Sequence, residues 1–193
     1  MTIWFSSDHH LNHRKIRELA HRPFHSDEEM AEVITQRHNA MVKPGDTTYF
    51  LGDVALGGWK YSVPLFSNFN GKRILVCGNH DQPFIHRGKG SFERILGGYL
   101  EHFHEVHLGS IRFGKFELSH FPYEGDSSQY EQRYDEFRPV DKGYTLIHGH
   151  VHEEDPDRQV TFTSKGTKQI HVGVDGRDFT PISIDEIHDI DRS

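Results

Sequence analysis

Residues 73–81 read Arg73-Ile74-Leu75-Val76-Cys77-Gly78-Asn79-His80-Asp81, an apolar run that ends abruptly in a glycine and three polar side chains. The run has the length and texture of a buried strand, and Gly78 lets the backbone turn sharply where it stops. An amide, an imidazole and a carboxylate then stand side by side, all three metal-ligand or proton-transfer groups. In isolation such a tetrapeptide reads as a polar turn. Its company changes that reading. Ile3-Trp4-Phe5 runs into Asp8-His9-His10, Thr47-Thr48-Tyr49-Phe50-Leu51 into Gly52-Asp53, and Thr145-Leu146-Ile147 into Gly149-His150-Val151-His152, while Phe116 and Leu118 lead to Ser119-His120. Five strand-like runs thus deliver carboxylates, imidazoles or an amide at their ends.

The intervening segments supply the rest of a fold. Asn12 to Ala20 carries Ile16, Leu19 and Ala20 at helical spacing and stops at Arg22-Pro23. Ser26-Asp27-Glu28-Glu29 has the form of a capping box, and Met30, Val33, Ile34, Arg37 and Met41 follow on one predicted helix face. Gly57-Gly58 loosens the next loop, and Leu65, Phe66 and Phe69 suggest a short helix. Pro83 to Gly98 reads as loop with a helical turn or two. From Val106 the pattern alternates, through Leu108, Ile111, Phe113, Phe116 and Leu118, with turn residues at Gly109-Ser110 and Gly114-Lys115, so hairpins are expected there. Glu124 to Lys142 is polar, with Tyr123, Tyr130, Arg133, Tyr134 and Arg138 among few aliphatics, and fits a lid over a site or a solvated connector equally well. Val160–Thr163 and Ile170–Val174 read as strands, and Ile182-Ser183-Ile184 leads into a short final element. Helical segments among the strands of the first half, and hairpins in the second, argue for an α/β protein of two packed sheets flanked by helices.

The ordered set Asp-x-His, Gly-Asp, Gly-Asn-His-Asp, a lone His and Gly-His-x-His resembles the calcineurin-like metallophosphoesterases, from about Ile3 to Ile187. Within that superfamily the stretch Trp4 to Phe24, the segment Val42-Lys43-Pro44-Gly45-Asp46-Thr47 and the tail Val172-Gly173-Val174-Asp175 resemble small phage and bacterial members. The resemblance implies a four-layer α/β/β/α sandwich of two mixed sheets, with two divalent metal ions at the strand ends between them, and a single domain spanning residues 1–193. It also implies the ligand set. Asp53 bridges the ions, Asp8, His10 and His152 complete one site, and Asn79, His120 and His150 complete the other. His80 is left to protonate a leaving group, with Asp81 either orienting its ring or capping the following turn. His13 is a candidate to line the substrate pocket, His9 and His148 flank ligands, and Leu11 stands where the family pattern has glycine or an aromatic residue.

The implied reaction is hydrolysis of a phosphomonoester or phosphodiester. Phosphate esters repel hydroxide and have poor leaving groups, and two ions about 3.5–4 Å apart generate hydroxide and neutralise charge at both oxygens. The mixed nitrogen and oxygen set suits Mn, with Fe, Zn, Co or Ni also compatible, better than Ca or Mg. Composition bounds the alternatives. A net charge of −7 disfavours general polyanion binding, so a small molecule or nucleotide is the expected substrate, while a nuclease acting on nucleic acid and a catalytically silent metal scaffold remain as alternatives. The one basic cluster is Arg14, Lys15, Arg17, His21 and Arg22. The single cysteine, Cys77, has apolar neighbours that mark it as a core residue, and it fits a reducing, cytoplasmic setting. No apolar run approaches membrane-spanning length. Oligomeric state has no signature in the sequence.

Overall fold

The computed structural model describes residues 1–56, 58–127 and 132–193. Gly57 and the 128–131 stretch, which includes Tyr130 of the polar segment, lie outside the described residues. Two five-stranded sheets face each other. In the first, β1 (Ile3–Ser6), β2 (Thr47–Phe50), β3 (Lys72–Val76) and β4 (Glu105–His107) run parallel, and β10 (Ile182–Ser183) joins the free edge of β1 antiparallel. The second has the order β5 (Ile111–Phe113), β6 (Phe116–Leu118), β7 (Leu146–His148), β9 (Lys168–His171), β8 (Val160–Phe162), parallel at β6–β7–β9 and antiparallel at both edges. Both sheets are therefore mixed.

Strand alternation divides the core in two. Phe5, Leu51 and Val76 of the first sheet meet Phe116, Leu118, Ile147 and Ile170 of the second, whereas Phe50, Leu75 and Cys77 point to the opposite face. There they meet α2 (Asp27–Met41), α5 (Phe92–Leu100) and the 3₁₀ segment Val63–Asn68 that continues α3 (Trp59–Ser62). Each large apolar side chain buried this way contributes about 1.5–3 kcal/mol. On the other side, α6 (Ile184–Arg192) starts with a complete capping box between Ser183 and Glu186, and buries Ile187 between the sheets. Its C-terminal turn takes the Lys168 ammonium on the Ile190 carbonyl, 2.8 Å, which ties it to β9. The two-sheet, helix-flanked architecture expected from the sequence is what the chain forms.

Several local expectations shift. The helix predicted over Asn12–Ala20 shrinks to α1 (Ile16–Leu19), because Asn12 takes φ 62° and the chain turns through His13 before helix begins. In α2 the buried positions are Met30, Ala31, Ile34 and His38, not Arg37 and Met41. Ser26 caps the Glu29 amide, but Glu29 reaches past it to the amide of His25, 2.6 Å, so only half of the box forms. The region read as loop with a helical turn or two holds two helices, α4 (Gln82–Ile85) and the nine-residue α5. Of the hairpins expected from Val106 to Leu118, β5–β6 forms. Strand β4 pairs with β3 instead, so Gly109-Ser110 carries the chain from one sheet to the other.

His38 is buried among Phe50 and Phe69, its Nε2 donating to the Asn70 carbonyl at 3.2 Å. Burial pushes its pKa down to about 4. The unfolded chain therefore binds a proton that the folded chain refuses between about pH 6.5 and 4. Stability carried by the neutral ring is complete above that window and is lost as pH falls through it. Urea unfolding at pH 7.5 and 4.5 is expected to show acid-weakened stability, and His38→Leu should flatten the dependence by up to about 3 kcal/mol. An unchanged slope in the variant would remove His38 from the account.

Candidate metal centre and pocket

The strand ends open toward one rim of the sandwich. Loops after β1, β2 and β3 bring Asp8, His10, Asp53, Asn79 and His80 from the first sheet. Loops after β6 and β7 bring His120, His150 and His152 from the second. The sheets are joined here, since Ser7 bridges Gly173 and the Val174 amide donates to the Ser7 carbonyl at 3.1 Å.

Two groups of donors result. In one, His10 Nε2 lies 3.2 Å from His152 Nε2, and His152 Nε2 lies 3.8 Å from Asp8 Oδ1. In the other, His120 Nε2 is 3.2 Å from Asn79 Oδ1 and 3.3 Å from His150 Nδ1. A single oxygen stands between them: Asp53 Oδ2 is 3.6 Å from His10 Nε2 and 3.5 Å from His120 Nε2. Donors held about 2.1 Å from one ion lie roughly 3.0 Å apart at right angles and 3.4 Å at tetrahedral angles, widening to about 4.2 Å across it. The observed separations fall within that range. Asp8, His10 and His152, and also Asp8, Asp53 and His120, form groups that could hold a metal ion.

Proton bookkeeping supports the fit. His120 Nδ1 must donate to the Leu51 carbonyl, 2.8 Å away, because a carbonyl cannot donate. With that nitrogen committed, Nε2 is the ring atom that faces the Asn79 and Asp53 oxygens, a convergence of donor atoms that a cation would satisfy. His152 also gives its Nδ1 to Asp175 Oδ2, at 2.9 Å; burial would lower its pKa, but that hydrogen bond and the Asp8 and Asp175 carboxylates outweigh it and raise it. Burial, reinforced by the neighbouring His152, holds the His10 pKa well below its usual value, and burial with His120 pushes His150 down to about 3. Both rings are thus neutral at pH 7, the ligating form. Burial alone would raise Asp53, but His120 and His80 outweigh it and keep the carboxylate low.

The backbone is strained to achieve this. Asp8, His10, Asp53, His150 and His152 all have left-handed φ, between 49° and 75°, at about 1–2 kcal/mol each for residues with a β-carbon. Approach is also tight at Gly78, where an added β-carbon would collide with the Asp53 carboxylate.

His80 lines the rim beside the donors, its Nε2 3.9 Å from Asp53 Oδ2 and its ring 5.3 Å from that of His10. Asp81 does neither of the things expected of it. Its carboxylate is buried and accepts from the amides of Gly78 (2.8 Å), Asp53 (2.9 Å) and Val54 (3.2 Å), so it pins the β2 and β3 loops together and makes no side-chain cap on α4. Leu11 is not at the rim either, but fully buried in the helix-side core. His9 sits against Phe50, Phe66 and Phe69, and His148 hydrogen-bonds its neighbour Gly149, so both are structural. A cavity of about 300 Å³ fronts the donors, with His13 on its wall as expected. Ile16, Leu19, Ala20, Val151, Ser127 and Arg133 also line it.

The sequence reading assigned no role to three residues that support the site. Asp175 is gripped by Arg22, Nε to Oδ1 2.7 Å and Nη2 to Oδ2 3.1 Å, and so backs His152. Asp126, from the polar segment, approaches His150 Nε2 at 3.3 Å. Arg22 and Asp175 stand in stretches that the resemblance had marked, but nothing in the spacing pairs positions 153 residues apart.

No protein-family model matches the chain. Over 203 aligned residues, 97% of this chain and 92% of the relative, the gene 66 protein of Mycobacterium phage L5 is 32% identical. The chain belongs to the phage gene 66 family. Among solved structures, a protein of unknown function from Aquifex aeolicus superposes on this chain with a TM-score of 0.69 and 26% identity, covering 98% of both chains. A phosphopantetheinyl hydrolase from Mycobacterium tuberculosis reaches a TM-score of 0.45 at 15% identity, over 92% of this chain and 90% of its own, too distant to carry an argument. No described helix of the gene 66 family chain is long and apolar enough to cross a membrane.

The role found for Asp81 has a measurable consequence. Asp81→Ala strands three buried amides, each costing about 1–3 kcal/mol, so urea unfolding of metal-free protein should show a loss of at least about 2 kcal/mol. A variant as stable as the parent would restore the idea that Asp81 serves His80.

Proposed function

We propose that the chain is a binuclear-metal phosphoesterase that hydrolyses a small phosphomonoester or phosphodiester. The observation that carries the reading is Asp53 Oδ2, one oxygen within 3.6 Å of donors belonging to two separate groups. An oxygen so placed could be shared by two ions, which supports the binuclear reading. Asp8, His10 and His152 would hold one ion and Asn79, His120 and His150 the other, with Asp53 shared. When bound, the ions neutralise phosphoryl oxygens and acidify water.

The chain's own residues supply the remaining parts. His80, with 40% of its side chain exposed, faces the cavity without being committed to either donor group. It can donate a proton to the departing ester oxygen. The wall of Ile16, Leu19, Ala20 and Val151 offers an apolar surface to the leaving group, and a cavity of about 300 Å³ suits a small ester. The basic cluster that a polymeric nucleic acid would use is largely spent: Arg22 is buried on Asp175, Arg17 pairs with Asp27 at 3.0 Å and His21 with Glu154 at 3.2 Å. That favours a small ester over a polymer.

Metal analysis after reconstitution with Mn should reach two equivalents, and Asp53→Asn should weaken both sites together. Chelator should abolish activity, and Mn should restore it better than Mg or Ca. Saturation at one equivalent would sink the binuclear reading. His80→Ala should keep both ions while turnover falls by about 10²–10⁴-fold, more on alkyl or nucleoside esters than on aryl esters with good leaving groups. Equal damage on both substrate types would remove His80 as the proton donor.

A further inference from the structure

The two histidines of Gly149-His150-Val151-His152 turn opposite ring nitrogens to the donor cluster. His152 presents Nε2 and gives Nδ1 to Asp175. His150 presents Nδ1, 3.3 Å from His120 Nε2, and its Nε2 points away. That outward nitrogen is buried and has no hydrogen bond, yet Asp126 Oδ1 lies 3.3 Å from it, within ion-pair reach but out of line for donation.

Asp126 is held for a purpose beyond its own turn. Its side chain is 1% exposed. The Arg133 guanidinium donates to both oxygens, at 2.9 and 3.3 Å, Arg138 adds a contact to Oδ2 at 3.3 Å, and the amides of Ser127 and Arg133 complete the shell at 2.8 and 3.0 Å. Tyr134, itself at φ 61°, lays its ring 5.7 Å from that of His150. The arrangement repeats, on the other histidine and from an unrelated part of the chain, the arginine–aspartate–histidine relay of Arg22, Asp175 and His152.

We propose that Asp126 is a positioning residue for the second metal ion, its buried carboxylate 3.3 Å from His150 Nε2 favouring the tautomer that carries the proton on that side and leaves Nδ1 bare toward that ion. The polar segment is then neither a free lid nor a solvated connector at this point; its Asp126 end is wired into the metal site. A carboxylate behind a ligating imidazole raises its basicity and fixes its tautomer, and losing it typically weakens metal binding 10–100-fold.

The inference rests on the binuclear reading and is tested apart from activity, by titrating metal-free protein with MnCl₂ and following heat and free-Mn EPR signal. Asp126→Asn should weaken one class of Mn site by about 10–100-fold and leave the other within about threefold. Asp175→Asn should weaken the other class. In a His150→Ala background Asp126→Asn should add nothing, whereas in a His152→Ala background its effect should persist. Should Asp126→Asn leave both classes unchanged, or still weaken binding when His150 is gone, the proposal is overturned and Asp126 serves only its loop. If His150→Ala itself leaves Mn binding intact, the binuclear reading fails instead. Circular dichroism and melting check the fold, and if Asp126→Asn does not fold, Arg133→Gln should weaken the same Mn class by a smaller factor, with no change counting against the proposal.

Discussion

One buried guanidinium holds together the end of the molecule where the chemistry lies. Arg22 donates to the carbonyls of Asp8 and His9, at 2.6 and 2.7 Å, and clamps both oxygens of Asp175. The first two belong to the loop after β1, in one sheet, and the third follows β9, in the other. Apolar packing between the sheets is non-directional and sets their distance but not their register at the rim. A fork of fixed geometry does set it, because guanidinium and carboxylate meet only in a narrow range of orientations. His152 inherits that register through Asp175, and Asp8 through its own carbonyl. Removing the arginine would leave the buried Asp175 carboxylate with His152 Nδ1 as its remaining side-chain partner, a far worse state than never having had the pair.

The strain around this clamp is concentrated where donors converge. Five residues with β-carbons adopt left-handed backbone there, and the acceptor atoms of Asp53, Asn79 and Asp8 crowd against imidazole nitrogens. Such an arrangement is held against its own repulsion by the two cores beneath it, and by Asp81, whose three amide contacts tie adjacent loops. A ligand that favours this geometry releases the stored energy, so affinity for a cation and stability of the fold are linked quantities.

How far the sequence discloses this depends on whether a residue acts through its own position or through a distant partner. Asp8, His10, Asp53, Asn79, His120, His150 and His152 converge as the strand-end pattern implies, because a strand end is a local feature and all parallel strands of a sheet present the same end. Asp81 was legible as a functional type but not as a role: its partners, Gly78, Asp53 and Val54, are backbone amides, which carry no sequence signature. Asp126 sits in a polar segment without periodicity, and its meaning comes only from Arg133, Arg138 and His150. The face of α2 was misread because His38 is polar by type yet buried among Phe50 and Phe69. The pairing of β4 was missed for another reason, since an alternating strand beside a glycine turn looks alike whether it folds back or crosses to a second sheet.

The edge pairing of β10 with β1 bears on how the molecule is assembled in time. Trp4 meets Ser183 and Phe5 meets Ile182, contacts that close almost the whole chain into one loop. Such non-local pairings are entropically late and make for slow folding. A chain emerging from a ribosome would carry β1 with one edge open until the last strand arrives, an exposed template for pairing with the wrong neighbour. The capping box that starts α6 directly after β10 gives that final segment a strong local helix signal, which favours its prompt arrest against the open edge once it is synthesised.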